Sequence, residues 1–174
     1  KTAASKADFI AHQMKRVITE NMEKDEAFYK KFSDLIDQTI KAFNEGRIKE
    51  AEYLETITKT KNDFDTGFQE GIPSVLHHKP EARAFFGALN SILKKTNNGS
   101  ATNDLIAQAG INISEIVEGL IIRDWKKNID IQRQMENDIE DYLMNHRNSF
   151  GIEITFDDID EILVKCLKIA KNNY

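Results

Sequence analysis

Within six positions, Arg123-Asp124-Trp125-Lys126-Lys127-Asn128 gathers three cations, the only tryptophan of the chain and two short polar side chains. A guanidinium and two ammonium groups can pair with phosphates or carboxylates. An indole face can take a stacked base in single-stranded or distorted nucleic acid, or anchor a protein interface. The same ring could equally plug the junction between two helices while the cations stand in water, and the residues leave all three readings open. Two weaker candidates accompany it: Arg83 with Lys79 beside Phe85-Phe86, and the basic start of the chain with Lys6, Lys15 and Arg16.

Catalytic chemistry finds no comparable cluster. Glu136, Asp138, Glu140 and Asp141 share one stretch, but on a helix they spread over the polar side opposite Ile139 and Tyr142. A di-iron bundle needs Glu three residues before His. His12, His77, His78 and His146 have Phe9, Ser74, Val75 and Leu143 there instead. Asp63-Phe64-Asp65-Thr66-Gly67 begins like a calcium loop, but its glycine comes one place early and the closing glutamate is missing. No glycine-rich phosphate loop and no nucleophile elbow occur. One cysteine allows neither an internal disulfide nor a zinc site. Cys166 lies in the apolar run 162–167, which predicts a buried, inert thiol. The expectation is no catalytic residue, no metal ligand and no cofactor within these residues.

The elements that must position these side chains are helices. Apolar residues recur at spacings of three and four: Ile10, Met14, Val17, Ile18 and Met22, then Phe28, Phe32, Leu35, Ile36, Ile40 and Phe43. Asp25 suits the N-cap of the second segment and Gly46 the position just past its end. A third segment over 47–65 should pair with the second as an antiparallel hairpin. Residues 67–79 read as a loop, and Pro80 opens a helix carrying Phe85, Phe86, Leu89, Ile92 and Leu93. Another helix runs from Leu105 to Ile121, where Gly110 leaves room for a kink or a break, and the next reaches about His146. The alternation Phe150 to Ile154 lacks a partner strand and reads as an extended connector. Thr155 and Asp158 then form a capping box for the last helix. The sum is an all-α fold, a compact irregular bundle of six or seven helices with no significant sheet. It is expected as a single helical domain over 1–174, with a mobile connection at 94–102, where Asn97-Asn98-Gly99-Ser100 falls. A chain of 174 residues buries roughly 70% of its unfolded surface and needs no staples.

Charge bounds the partners. The net charge is −5, with −8 concentrated in residues 128–161 and +3 in 162–174. A basic footprint covering the whole domain, as autonomous nucleic-acid binding would need, is absent. No apolar stretch approaches the ~20 residues that span a bilayer and no signal-peptide core is seen, so no membrane partner and a cytoplasmic location are expected. A first residue of lysine suggests a piece of a longer chain.

Residues 25–33 (DEAFYKKFS), 81–87 (EARAFFG), 124–128 (DWKKN) and the ending from Asp158 through Lys165–Lys171 to Tyr174 together resemble one family. It is the C-terminal helical domain of the motor and endonuclease (restriction) subunit of type I restriction-modification enzymes. The resemblance covers nearly the whole chain and is weakest at 94–102 and at the first few residues. It implies a parent that uses ATP and Mg2+ to translocate and cleave DNA, with its nuclease and ATPase motifs upstream and none here. It implies docking onto a methyltransferase core of modification and specificity subunits, contact with the rest of the motor subunit, and an auxiliary contact to double-stranded DNA. Arg83, Asp124, Trp125, Lys126, Asn128 and Tyr174 are the interaction candidates it carries over, and Arg123 and Lys127 join them from the cation cluster.

Overall fold

The computed structural model describes residues 2–97 and 102–174. Seven α-helices follow in order: α1 (Ala3–Asn21), α2 (Glu26–Asn44), α3 (Glu50–Thr66), α4 (Pro80–Thr96), α5 (Asn103–Leu120), α6 (Ile129–His146) and α7 (Phe156–Asn173). Short 3-10 turns occupy Met22–Lys24, Ser74–Leu76 and Trp125–Lys127. No strand occurs among the described residues, so the all-α expectation holds. The stretch Phe150 to Ile154 is a turn and connector. Among the described residues no helix is long and apolar enough to cross a membrane.

Contacts gather into two compact units, residues 1–70 and 71–174. Sequence reading expects one helical domain over 1–174 with a mobile connection at 94–102, and the boundary between the two units lies at Glu70 and Gly71. Of the suspected connection, Lys94–Thr96 complete α4, Asn97 caps it, and 98–101 lie outside the described residues. The α4 end is tied down by side chains. Asn97 Nδ2 donates to the Glu153 carbonyl at 2.9 Å, and the Glu153 amide donates back to Asn97 Oδ1 at 2.8 Å.

In the first unit α1 packs on both α2 and α3. Asp25 caps α2 by accepting from the Phe28 amide at 3.3 Å. At the other end Gly46 takes φ +68°, the left-handed conformation that costs glycine nothing. There the Arg47 amide reaches the Ala42 carbonyl and the Gly46 amide that of Phe43, each at 2.9 Å. The expected antiparallel hairpin follows. Phe43 stacks on Tyr53 beside the turn at 4.5 Å between centroids, while Phe28 and Phe32 meet Phe64 at the far end. Buried Ala7, Ala11, Met14, Ile18, Ile36 and Ile57 fill the space between the three helices.

Tyr53 is fully enclosed, and its hydroxyl donates to Asp8 Oδ1 at 2.9 Å. Burial first, then this hydrogen bond and the Asp8 charge, push the phenol up to about 12. The folded state thus favours the neutral phenol. Its contribution is complete below the unfolded pKa of about 10 and is lost as pH rises through the folded value near 12. Thermal melts across that alkaline window should fall more steeply for wild type than for Tyr53→Phe, and parallel curves would refute the coupling.

In the second unit α4 packs on α5 and α7, and α5 and α7 each pack on α6. Its core joins Phe85, Leu89 and Ile92 of α4 to Ile106, Ile113 and Val117 of α5, with Ile162 and Cys166 of α7. Gly110 does not break the helix, because α5 runs unbroken from Asn103 to Leu120. The glycine serves contact: a Cβ there would lie 2.7 Å from the Ala82 carbonyl oxygen and 2.9 Å from the Phe86 nitrogen. Two helix backbones meet at that point.

The capping box of α7 forms as expected, with the Asp158 amide donating to Thr155 Oγ1 and the Thr155 amide to Asp158 Oδ2. The buried Asp158 carboxylate also accepts from Thr96 Oγ1 at 2.6 Å, joining the end of α4 to the start of α7. Burial works to raise its pKa, but the bonds from Thr96 and Thr155 outweigh burial and hold it below the usual carboxylate range.

Candidate functional site

α5 ends at Leu120 and α6 starts at Ile129, so the cation cluster forms the connection between them. Asp124 stands at φ +59°, the one non-glycine residue with positive φ among those described. Aspartate tolerates this left-handed turn better than most residues, and it reverses the chain into the 3-10 turn Trp125–Lys127. Backbone bonds brace the turn, from the Trp125 amide to the Ile122 carbonyl at 3.2 Å and from the Lys127 amide to the Asp124 carbonyl at 3.0 Å. Asn128 Oδ1 then accepts from the amides of Asp130 and Ile131 and caps α6. Gln132 Nε2 reaches back to the Lys126 carbonyl at 2.8 Å. The result is a rigid corner.

Its side chains divide sharply. Trp125 is only 3% exposed and belongs to the core of the second unit. Its indole Nε1 has no acceptor among the described residues. The ring presents no face outward, so base stacking on it is not available in this conformation. Arg123, by contrast, is 97% exposed, and among the described residues its guanidinium meets only the neighbouring Asp124, at 3.7 Å. Lys126, Lys127 and Asn128 are exposed as well. Ile122 at 53% and Ile129 at 62% exposure flank the corner.

The two distant candidates lie toward the same end of the unit. Tyr174 closes α7 and donates its hydroxyl to Glu118 Oε1 at 3.0 Å, in the last turn of α5. Burial, then the hydrogen bond to Glu118 and the charges of Glu118 and Glu81, raise its phenol well above the ordinary value. The start of α4, the end of α5 and the end of α7 thus share that region. Arg83, one turn into α4, is only 6% exposed, so it is a core-facing residue and not part of an outer surface. Of the sequence-derived candidates, Arg123, Asp124, Lys126, Lys127 and Asn128 form one exposed corner, Trp125 supports it from beneath, and Tyr174 braces the neighbouring helix ends.

Ile122 and Ile129 were not singled out by sequence reasoning. Their signal was legible in retrospect: Ile122 falls past the α5 stripe ending at Leu120 and Ile121, and Ile129 comes before the α6 stripe that begins at Ile131. Apolar residues outside a helical stripe have no assured place in the core.

Among the described residues no group of His, Cys, Asp and Glu could hold a metal ion. Cys166 is completely buried, and burial pushes its thiol up to about 12, which keeps it protonated and unreactive. A groove of about 270 Å3 is lined by Met144, Arg147, Glu153, Ile154, Thr155, Ile159 and the exposed ring of Phe156.

A family profile described as type I restriction enzyme HindI endonuclease subunit-like, C-terminal, matches residues 2–173. Comparison with curated proteins and with solved structures gives no match.

Proposed function

The chain belongs to the type I restriction enzyme HindI endonuclease subunit-like C-terminal family, and on that premise we propose that it is a non-catalytic assembly domain. In this reading it docks the DNA-translocating endonuclease subunit onto the methyltransferase core through the corner between α5 and α6. The observation that carries the proposal is the division of side chains at that corner. Trp125 is buried while Ile122 and Ile129 stand half or more exposed among cations. Exposed apolar residues on either side of a run of cations suit a protein interface, whose centre excludes water and whose rim stays polar. Contact with double-stranded DNA remains a second, auxiliary role, favoured by the exposed Lys126 and Lys127, which have no carboxylate at salt-bridge distance among the described residues.

The test uses the full-length endonuclease subunit carrying Ile122→Ser and Ile129→Ser, mixed with the methyltransferase core without DNA and sized by gel filtration. Two anchors together should contribute about 2 kcal/mol, so affinity should fall roughly thirtyfold. Both side chains are largely outside the core, so the melting curve should stay in place. Undiminished assembly in the double variant would remove this reading.

A further inference from the structure

Resting on that docking reading, we infer that the partner segment seated on the α5–α6 corner is an acidic protein segment, with apolar side chains at its centre and carboxylates at its edge. Elsewhere this chain neutralises many of its cations within its own helices. Arg16 meets Glu20 at 3.0 Å, Lys30 meets Asp34 at 3.8 Å, Lys41 meets Glu45 at 3.8 Å and Lys165 meets Glu161 at 3.2 Å, each one helical turn apart. At the corner no such helical pair occurs among the described residues. Arg123 has only its exposed neighbour Asp124, and no carboxylate pairs with Lys126 or Lys127 among the described residues. These three cations lie in the same eight-residue stretch as Ile122 and Ile129, which are 53% and 62% exposed.

That combination separates the possible occupants. A DNA backbone would satisfy the cations, but phosphates and sugars leave two isoleucines against a polar, hydrated surface. A protein segment satisfies both sets at once, covering the isoleucines with aliphatic or aromatic side chains while aspartates or glutamates reach the rim. The corner is also pre-ordered by the Trp125 plug, the Asn128 cap and the Gln132 bond to the Lys126 carbonyl. Little conformational entropy is then lost when a partner seats on it.

Carbodiimide coupling tests this directly, because the reagent converts a carboxylate to an O-acylisourea, whose acyl carbon a lysine amine attacks to form an amide as the urea leaves. The full-length subunit assembled with the methyltransferase core is treated, digested and read by mass spectrometry. Amides from Lys126 or Lys127 to aspartates or glutamates of the core are expected. Lys126→Arg with Lys127→Arg should keep assembly and lose those amides, while Arg123→Glu, Lys126→Glu and Lys127→Glu together should weaken assembly more than tenfold at low salt. If charge reversal spares assembly while Ile122→Ser and Ile129→Ser abolish it, docking stands and the acidic partner falls. If charge reversal reduces only DNA retention, the cations read phosphate and the inference is overturned. Amides linking two copies of the subunit would overturn it in favour of self-association. If neither the isoleucine nor the charge variants alter assembly, both the docking reading and this inference fail.

Discussion

Gly110→Ala should unfold the second unit at temperatures where wild type is intact. The added Cβ would lie 2.7 Å from the Ala82 carbonyl oxygen, 2.9 Å from the Phe86 nitrogen and 3.2 Å from the Phe86 Cα. All three are backbone atoms of α4, so no side-chain rotation relieves the overlap. The helices must separate, which opens a core that includes Phe86, Ala82, Ile106 and Ile113. Overpacking of this kind costs about 3 kcal/mol or more, and for a unit of this size that lowers the melting temperature by roughly 10–20 °C. Gly119 supplies the control, since it lies in the same helix, is exposed and would meet nothing within 4 Å. Gly119→Ala should leave stability unchanged or raise it by about 0.5–1 kcal/mol, because alanine restricts the unfolded chain more than glycine does. Equal melting of the two variants would show that the α4–α5 approach is not what requires Gly110.

Trp125→Ala should be nearly as damaging, whereas Trp125→Phe should be mild. The indole sits in the core at 3% exposure, and truncating a buried tryptophan to alanine costs about 3–5 kcal/mol through lost burial and a residual cavity. Phenylalanine keeps most of the apolar volume. It also deletes an indole N–H that has no acceptor among the described residues, so no hydrogen bond is forfeited and the cost should stay near 1 kcal/mol. Chemical denaturation of the three proteins measures this, and a loss above about 3 kcal/mol for Trp125→Phe would reveal a hydrogen bond that matters. The result also governs the design of docking experiments. An alanine scan of Arg123 to Asn128 that includes the tryptophan would mix lost folding with lost binding, whereas Ile122, Ile129, Arg123, Lys126 and Lys127 report on the surface alone.

The candidate site was half legible. Residues 123–128 stood out because cations and an aromatic are rarely packed so closely, and five of those six side chains do form one exposed corner. Exposure of each side chain was not legible, since a lone tryptophan between two helices is consistent with a plug or an anchor. Arg83 shows the same limit. Its charge suggests a surface, yet α4 packs against both α5 and α7 and leaves it 6% exposed.

Sequence alone determined the helices and most of their ends. The Asp25 cap, the Gly46 reversal, Pro80 at the first turn and the Thr155–Asp158 box all occur where the residues place them. Each depends on a side chain meeting backbone groups within a few positions, and the apolar stripe depends on a period of 3.6 residues. The motif set also sufficed for the family. Only the tertiary structure decided that Gly110 is a contact between helices, that the units divide at residue 70, and that Trp125 turns inward while Ile122 and Ile129 stay outside. Those outcomes depend on which helix lies against which, a relation between residues far apart in the chain that no local spacing encodes.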